Sequence, residues 1–416
     1  MSIAVVYDRG SASPAELLTS LGETERMVVV VADSEQGRAA RNLFEAAGVP
    51  VAGLTDDDLP AVLAGHGVKG IVTYSERMLR PTARLAERMG LLFCTPQAAD
   101  ALTDKATQRR LLREEGVDRV LSVTVGSVAE FADALSQAGL PAVVKPARGE
   151  SSRNTVVLRT ADGARELAEG LLAAEGQLVV EEYLRGAAPH AGLGDYVSVE
   201  SAILPSGPVH FAVTGKFPLA PPFRETGQYW PAPLTDTLHA EVTELTGRAL
   251  RALGMGTGLS HTEIKLTATG PRIIEVNGRL GGLQPELALR ATGLNPLRIG
   301  ADLAMRRPVT LEPVRPDRVY FQLFTPGPTA PGTLLGISGG KEVRALPGVT
   351  GYRTFSRAGA PVGGTGSNWL DLTVGVVDDH DALVSLAAKV TGILRYEFDH
   401  AGRHVVRSAA DLISQE

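Results

Sequence analysis

His261-Thr-Glu-Ile-Lys-Leu-Thr-Ala-Thr-Gly-Pro-Arg-Ile-Ile-Glu-Val-Asn-Gly-Arg279 is the stretch that settles the architecture of this chain. Gly270-Pro271 marks a turn and both flanks alternate as strands do, so a β-hairpin is expected. Pairing about position 269 sets Glu263 opposite Glu275 and His261 opposite Asn277. Side chains alternate across a strand, so His261, Glu263 and Lys265 share one face, as do Glu275, Asn277 and Arg279. Two acids directly across a hairpin repel unless a cation lies between them. Oxygen ligands at this density suit a hard divalent ion such as Mg²⁺, which is usually shared with substrate phosphates. The hairpin reads as a metal–phosphate platform.

Working outward, the 416 residues are 44% hydrophobic and 21% charged, enough for two or three domains with their own cores. A net charge of −6 and the lack of a Lys/Arg-rich run argue against nucleic acid as a partner. The start lacks the basic and apolar regions of a signal peptide. Its longest apolar run, Met27–Ala32, is far short of the roughly 20 residues that span a bilayer, so no membrane partner is expected. Cys94 is the only cysteine, which excludes an internal disulfide and fits a reduced, cytoplasmic setting.

Residues 1–95 alternate apolar strands (Ile3–Tyr7, Met27–Ala32, Gly70–Tyr74) with helical patterns (Gly37–Gly48, Arg80–Gly90), the signature of a small doubly wound α/β unit. No Gly-x-Gly-x-x-Gly follows the first strand, which removes the main support for dinucleotide binding. A connector at Cys94–Gln97 leads to a helix capped at Thr103-Asp104-Lys105 and running to Glu115. Strands Ala142–Pro146, Val156–Arg159 and Leu178–Glu182, with a helix over Asp162–Ala174, form a β-loop-β-α-β unit. Strands recur over Asp195–Phe217, a Pro-rich loop spans Phe217–Pro233, and helices are expected at Thr235–Leu253 and Pro285–Thr292. Residues 306–416 read as a β-rich tail with one helix near Asp379–Leu394.

Further residues bear chemistry. Lys145 ends a strand beside Gly149-Glu150-Ser151-Ser152, whose N–H groups and hydroxyls could fold over phosphates. Lys105 sits in a first helical turn, where a cation is disfavoured unless an anion shares the site. The strand Val180-Glu181-Glu182-Tyr183-Leu184 enters a loop whose backbone could read an adenine edge, and Asp195 could accept from ribose hydroxyls.

Taken in order, Asp104-Lys105, Val144-Lys145-Pro146, Gly149–Ser152, Glu181–Leu184 and Glu263 with Glu275-Val-Asn277-Gly-Arg279 resemble the ATP-grasp superfamily over roughly residues 95–300. The resemblance implies an α/β (in part α+β) ATP-grasp fold. An N-terminal Rossmann-like preATP-grasp domain would span 1–95. An ATP-grasp domain would span 96–305, with a lid subdomain at about 106–182 and a large subdomain at 183–305. A β-rich C-terminal domain over 306–416 would complete the core. It also implies that Lys105 and Lys145 contact ATP phosphates and that Gly149, Glu150, Ser151 and Ser152 close over them. Adenine would lie against the main chain of Glu182 and Leu184, next to Tyr183, with the Glu181 carboxylate, and ribose against Asp195. Glu263, Glu275 and Asn277 would ligate Mg²⁺, two ions being usual and Mn²⁺ an alternative, and Arg279 would stabilise the transferring phosphoryl group.

Within that superfamily, Phe223-Arg224-Glu225-Thr-Gly227-Gln228-Tyr-Trp-Pro231 resembles the Phe-x-Glu-x-Gly-His-x-x-Pro stretch of bacilysin-type L-amino-acid ligases and carnosine synthase, with Gln228 in place of His. The implied activity joins the carboxylate of an amino acid to an amine through an acyl phosphate, releasing ADP and phosphate, and a homodimer is common among such enzymes. By location, Glu225 or Glu200 could hold a substrate ammonium group, with Arg224, Gly227 and Gln228 beside it. His261 could face the acceptor, Leu283 could line a side-chain pocket, and the N–H groups of Gly281 and Gly282 could stabilise an oxyanion. Two further readings stand beside this one: an ATP-dependent carboxylase of the biotin-carboxylase or purine-pathway type, and a non-catalytic ATP-binding protein.

Overall fold

Four consecutive parallel strands open the computed structural model, which describes residues 1–366 and 368–414. They are β1 (Ser2–Tyr7), β2 (Arg26–Val31), β3 (Val51–Gly53) and β4 (Val68–Thr73), in the spatial order β3-β2-β1-β4. Helices α1 (Pro14–Leu21), α2 (Glu35–Ala46), α3 (Leu59–Gly65) and α4 (Leu79–Met89) connect and cover them. Every residue of β1 is buried, as the unbroken apolar run of a parallel strand covered on both faces requires. The short β3 and the helices α1 and α3 go beyond the elements legible in the sequence.

The expected connector at Cys94–Gln97 is a helix start. Thr95 caps α5 (Pro96–Thr103), and Asp104 caps α6 (Lys105–Glu114) by accepting from the N–H of Thr107. Then β5 (Ser122–Val125), α7 (Val128–Ala138), β6 (Ala142–Pro146), β7 (Val156–Leu158), α8 (Ala164–Glu175) and β8 (Leu178–Glu182) build a four-stranded antiparallel sheet, β5-β8-β6-β7, with both helices packed on it.

An eight-stranded antiparallel sheet forms the centre. Its strands are β9 (Tyr196–Leu204), β10 (Gly207–Lys216), β11 (Gly227–Trp230), β12 (Gly258–Thr267), β13 (Gly270–Asn277), β14 (Val319–Pro326), β16 (Val349–Thr354) and β18 (Trp369–Val377). Their order is β13-β12-β9-β10-β11-β14-β18-β16, and α9 (Asp236–Ala252), α10 (Gln284–Thr292) and α11 (Pro296–Ala304) pack against it. The Pro-rich segment is therefore not one loop: β11 lies inside this sheet, with Tyr229 and Trp230 fully buried. The tail likewise carries more helix than expected. With β15 (Gly332–Ser338), β17 (Pro361–Val362), β19 (Arg395–His400) and β20 (Arg403–Ser408) come α12 (Gly340–Arg344), α13 (His380–Ile393) and α14 (Ala409–Ser414).

The hairpin β12–β13 turns at Ala268-Thr269, two residues ahead of the expected Gly270-Pro271. From the turn, Thr267 pairs with Gly270 and Ile264 with Ile273; a bulge then shifts the register so that Glu263 faces Glu275 and His261 faces Asn277. Ile274 is the extra residue. The outer edge of β13 is closed by side chains from outside the sheet. Gln108 exchanges two hydrogen bonds with Val276 (2.9 and 2.8 Å), Asp118 accepts from Ile273 N–H (2.5 Å), and Arg109 donates to the carbonyls of Ile273 and Ile274 (2.7 and 2.9 Å). Those contacts satisfy an edge that would otherwise recruit another strand.

Candidate active site

Glu263 and Glu275 lie directly across the two strands, each side chain about a quarter exposed (25% and 21%). Lys105 reaches in from the first turn of α6. Its Nζ stands 2.9 Å from Glu275 Oε1 and donates to the Gly149 carbonyl, also at 2.9 Å. Burial alone would discharge this lysine, but Glu275 outweighs it and holds the ammonium above its ordinary range. The cation expected between the two acids is thus supplied from a neighbouring helix.

Asn277 Oδ1 lies 3.5 Å from a terminal nitrogen of Arg279. On its other side Arg279 meets Glu76, whose Oε2 is 3.1 Å from Nε without the geometry of a hydrogen bond. Glu76 begins a 3₁₀ turn after β4, so the first unit contributes an acid to the site. Burial pushes its carboxyl up to about 7, with Arg279 pulling the other way and Glu275 adding repulsion.

His261 sits between two carboxylates. Nδ1 hydrogen-bonds Glu200 Oε1, and Nε2 lies 3.2 Å from Glu263 Oε1. Burial opposes the imidazolium, yet Glu200 and Glu263 raise His261 to about 9; against the same burial, His261 keeps Glu263 below the usual carboxylate range. Glu200 is fully buried and its second oxygen accepts the Gly281 N–H at 3.2 Å. Three expectations are corrected here. Both oxygens of Glu200 are occupied inside the protein, which rules it out as an ammonium clamp. The Gly281 N–H already has an acceptor, so it is no oxyanion donor in this arrangement. His261 orients Glu263 and does not present itself to an acceptor.

Lys145 Nζ is 2.8 Å from Glu181 Oε2, and Arg109 grips both oxygens of that carboxylate at 2.8 and 3.1 Å. Glu181 is driven well below its ordinary range by these cations despite desolvation, while burial lowers Lys145. Held between two buried cations, Glu181 anchors Lys145. The Glu182 N–H also donates within the protein, to Leu121 O at 3.0 Å. Tyr183 and Leu184 lie in the short link from β8 to the Gly186–Thr267 bridge with the large sheet. Asp195 Oδ1 accepts from Lys265 at 2.6 Å. In the loop, Ser151 and Ser152 hold left-handed backbone (φ 57° and 54°), and Glu150 pairs with Arg77 at 2.6 Å.

The segment 223–228 divides by role. Arg224 is fully buried and donates to the carbonyls of Pro221 (2.7 Å), Gly327 and Leu412 (3.4 Å), so it braces the backbone and does not meet substrate. Gly227 is forced by space: a Cβ there would come 2.5 Å from Gln322 O. Gln228 is a buried hub. Its oxygen accepts from Lys216 and Gln284 (2.9 Å each) and its nitrogen donates to Gly282 O (2.9 Å) and Gln322 Oε1 (2.7 Å). A histidine could not make those four bonds. Glu225 lies 3.5 Å from Lys216 Nζ, and Leu283 is the half-buried, left-handed cap of α10.

Glu76, Arg109 and Lys216 escaped the sequence reading. Lys216 had a signal, a lysine closing an apolar strand as Lys145 does. Glu76 and Arg109 had none, since their partners lie in distant segments. The donor set suits a hard cation held jointly with phosphate: two carboxylates and an amide from one hairpin, flanked by buried ammonium and guanidinium groups. Among the described residues no three His, Cys, Asp or Glu side chains form a self-sufficient metal cage.

No family model matches the chain. It is 29% identical over 308 residues to the uncharacterized protein y4rH of Sinorhizobium fredii, covering 71% of this chain and 60% of that one. The alanine–anticapsin ligase of Bacillus subtilis strain 168 is 27% identical over 52% of this chain and 49% of its own length. Mouse carnosine synthase 1 is 27% identical over 51% and 28%. The matches thus span about half the length of these curated relatives, or less. Among solved structures, the L-amino acid ligase from Bacillus licheniformis superposes with a TM-score of 0.77 at 19% identity, over 94% of this chain and 97% of that one. The N5-carboxyaminoimidazole ribonucleotide synthetase from Thermotoga maritima gives 0.71 at 15% identity, over 95% and 99%.

Proposed function

We propose, from the ATP-grasp fold that this chain adopts, that it is an ATP-dependent carboxylate–amine ligase acting on an amino acid and an amine. The contact between Lys105 and Glu275 carries the reading. One lysine joins the acid of the large sheet to the carbonyl of the Gly149 loop, so nucleotide phosphates entering there meet lysine, metal-binding acid and loop together. The relatives named as ligases support amide formation as the reaction.

In this reading a substrate carboxylate oxygen attacks the γ-phosphorus of ATP, and ADP leaves. The amine nitrogen then attacks the acyl carbon, phosphate departs, and the amine loses its proton to solvent. Phosphoryl transfer asks a protein mainly for position and charge neutralisation. Lys105, Lys145 and Arg279 supply fixed positive charge, and Lys216 adds a fourth cation beside Glu225. Glu263, Glu275 and Asn277 would hold Mg²⁺, two ions in the usual stoichiometry, which neutralises phosphate charge when bound. The Gly149–Ser152 loop shields the acyl phosphate from water. Adenine and ribose would lie along Glu182–Leu184 and Asp195. The same reading takes the protein as a homodimer in the cytoplasm, and no described helix is long and apolar enough to cross a membrane.

Phosphate release from ATP and Mg²⁺ across a matrix of amino acids, with mass spectrometry of the products, tests the proposal. Release that depends on amino acids and yields a condensed product is expected, with Mn²⁺ able to replace Mg²⁺. Release that depends on bicarbonate instead would overturn it in favour of a carboxylase.

A further inference from the structure

The 3₁₀ turn Glu76–Met78 carries two consecutive residues of opposite charge, and each meets a partner from a different part of the site. Glu76 stands beside Arg279 at the exit of the hairpin. Arg77 turns to the loop over the phosphates, where its Nε donates to Glu150 Oε1 at 2.6 Å. The turn itself is firmly seated. Ser75, buried at its start, donates to the Arg9 carbonyl at 2.8 Å, and the Tyr74 hydroxyl donates to Leu297 O of α11 at 2.7 Å.

The loop needs outside support. Ser151, Ser152 and Asn154 all hold left-handed backbone, with φ of 57°, 54° and 54°, where residues other than glycine are sparse. A strained segment of this kind persists only when its surroundings over-determine it. Lys105 ties the Gly149 carbonyl, and Arg77 ties the Glu150 carboxylate. Glu175 of α8 accepts from Asn154 Nδ2 at 2.5 Å, and Thr365 Oγ1 accepts the Asn154 N–H at 3.2 Å. Among these contacts, Arg77 is the one made by the first α/β unit. Burial opposes the Arg279 charge, and Glu76 followed by Glu150 holds it above its ordinary range, so Glu150 is within electrostatic reach of that arginine. Without Arg77, this loop acid would compete with incoming phosphate for Arg279.

On the ligase reading above, we propose that Arg77 is a positioning residue for the Gly149–Ser152 loop: acting through Glu150, it keeps the loop over the phosphate site and so ties phosphate release to amide formation. Arg77 is half exposed (54%) and Glu150 is drawn in (19%), so the pair adds little to stability. Its effect is on where the loop stands. An acyl phosphate reached by water is lost: the water oxygen bonds the acyl carbon, the bond from that carbon to the phosphate oxygen breaks, and a proton goes to solvent. ATP is then consumed with no amide formed. The first α/β unit thereby takes part in the chemistry twice from one turn, through Glu76 on Arg279 and through Arg77 on the loop.

Phosphate and amide are measured together, by phosphate release and mass spectrometry, with the amino acids that the wild type joins. The wild type should give the two in equal amounts. In Arg77→Ala the phosphate released per amide should rise about two- to fivefold, the scale of one partly exposed ion pair. Arg77→Lys, which keeps a cation for the same carboxylate, should restore most of the coupling. Arg38→Ala removes another exposed pair of the same unit (Arg38 to Asp33, 2.7 Å) and should leave the ratio at the wild-type value. Should Arg77→Ala fold poorly, Glu150→Gln breaks the same pair from the loop side. An unchanged ratio in the variants that break the pair overturns the proposal. Failure of the ligase reading shows separately, as no amide from the wild type, and hydrogen exchange then decides. Residues 149–155 should exchange faster in Arg77→Ala than in the wild type, and equal exchange overturns the role given to Arg77.

Discussion

Arg279 Nε stands 3.1 Å from Glu76 Oε2, so the guanidinium at the exit of the hairpin is steadied by an acid from the 3₁₀ turn that follows β4. Replacing Glu76 with Gln should leave the KM for ATP in place and lower kcat by about tenfold, the worth of one positioning contact near ~1.4 kcal/mol. The pH response follows from its raised carboxyl. The protonated form is favoured in the folded protein, so this group's stabilising contribution is full below its ordinary value of 4.5 and is lost as pH rises through about 7. Thermal melts of the wild type should therefore fall from pH 5 to pH 8 more steeply than those of Glu76→Gln. Parallel melting curves would refute the assignment.

Arg279→Lys keeps the charge but removes the planar fork. A loss of ~10²–10³ in kcat is expected, as for removal of a fixed donor at a developing charge, with a smaller effect on the KM for ATP. Steady-state kinetics separate the two parameters. A double variant with Glu76→Gln should lose little beyond Arg279→Lys alone, because the acid acts through the arginine.

Glu275→Gln withdraws one metal ligand and the partner of Lys105 at once. The concentration of Mg²⁺ giving half-maximal rate should rise at least about tenfold, the low end for perturbing a metal site. An unchanged Mg²⁺ dependence would place the ion elsewhere.

His261→Gln leaves Glu200 buried without its cation, which costs about 3–5 kcal/mol by analogy with breaking a buried pair from one side. His261 is raised in the folded state, so the stability it contributes is complete below about 6.5 and is lost as pH rises through about 9. Chemical denaturation at pH 6, 8 and 9.5 should show that decline in the wild type and not in the variant.

Gln228→Leu removes a hub with four partners. Each buried group left unsatisfied costs about 1–3 kcal/mol, so a large drop in melting temperature and a disturbed Gly282 are expected, measured by melting and by turnover together. Arg224→Ala is the control: it should destabilise the fold while the stable fraction keeps its substrate preference.

Much of this arrangement was visible in the chain because strand alternation is a local signal. Glu263 and Glu275 could be placed face to face from spacing alone. Lys105 announced a partner by standing where the helix dipole disfavours it. What escaped notice depends on long-range contact. Arg109 looks like one of several arginines on a solvated helix until Glu181, 72 positions on, closes against it. The strand Gly227–Trp230 was hidden among prolines and glycines that signal a loop, and its burial follows from neighbours on both sides that no short window contains. Glu200 was noticed but misassigned, since nothing in its own strand tells that Gly281 and His261 will occupy both of its oxygens.

The extra residue at Ile274 has an evolutionary corollary. Because it separates the tip of the hairpin from the half that carries the acids, the tip is free to drift in length so long as a compensating insertion or deletion occurs near that spot. Deleting Ile274 alone would merge the two registers into one continuous ladder, with Ile264 opposite Ile273 and Glu263 still opposite Glu275. A lineage could thus remodel the outer rim of this protein without ever disturbing the acids beneath.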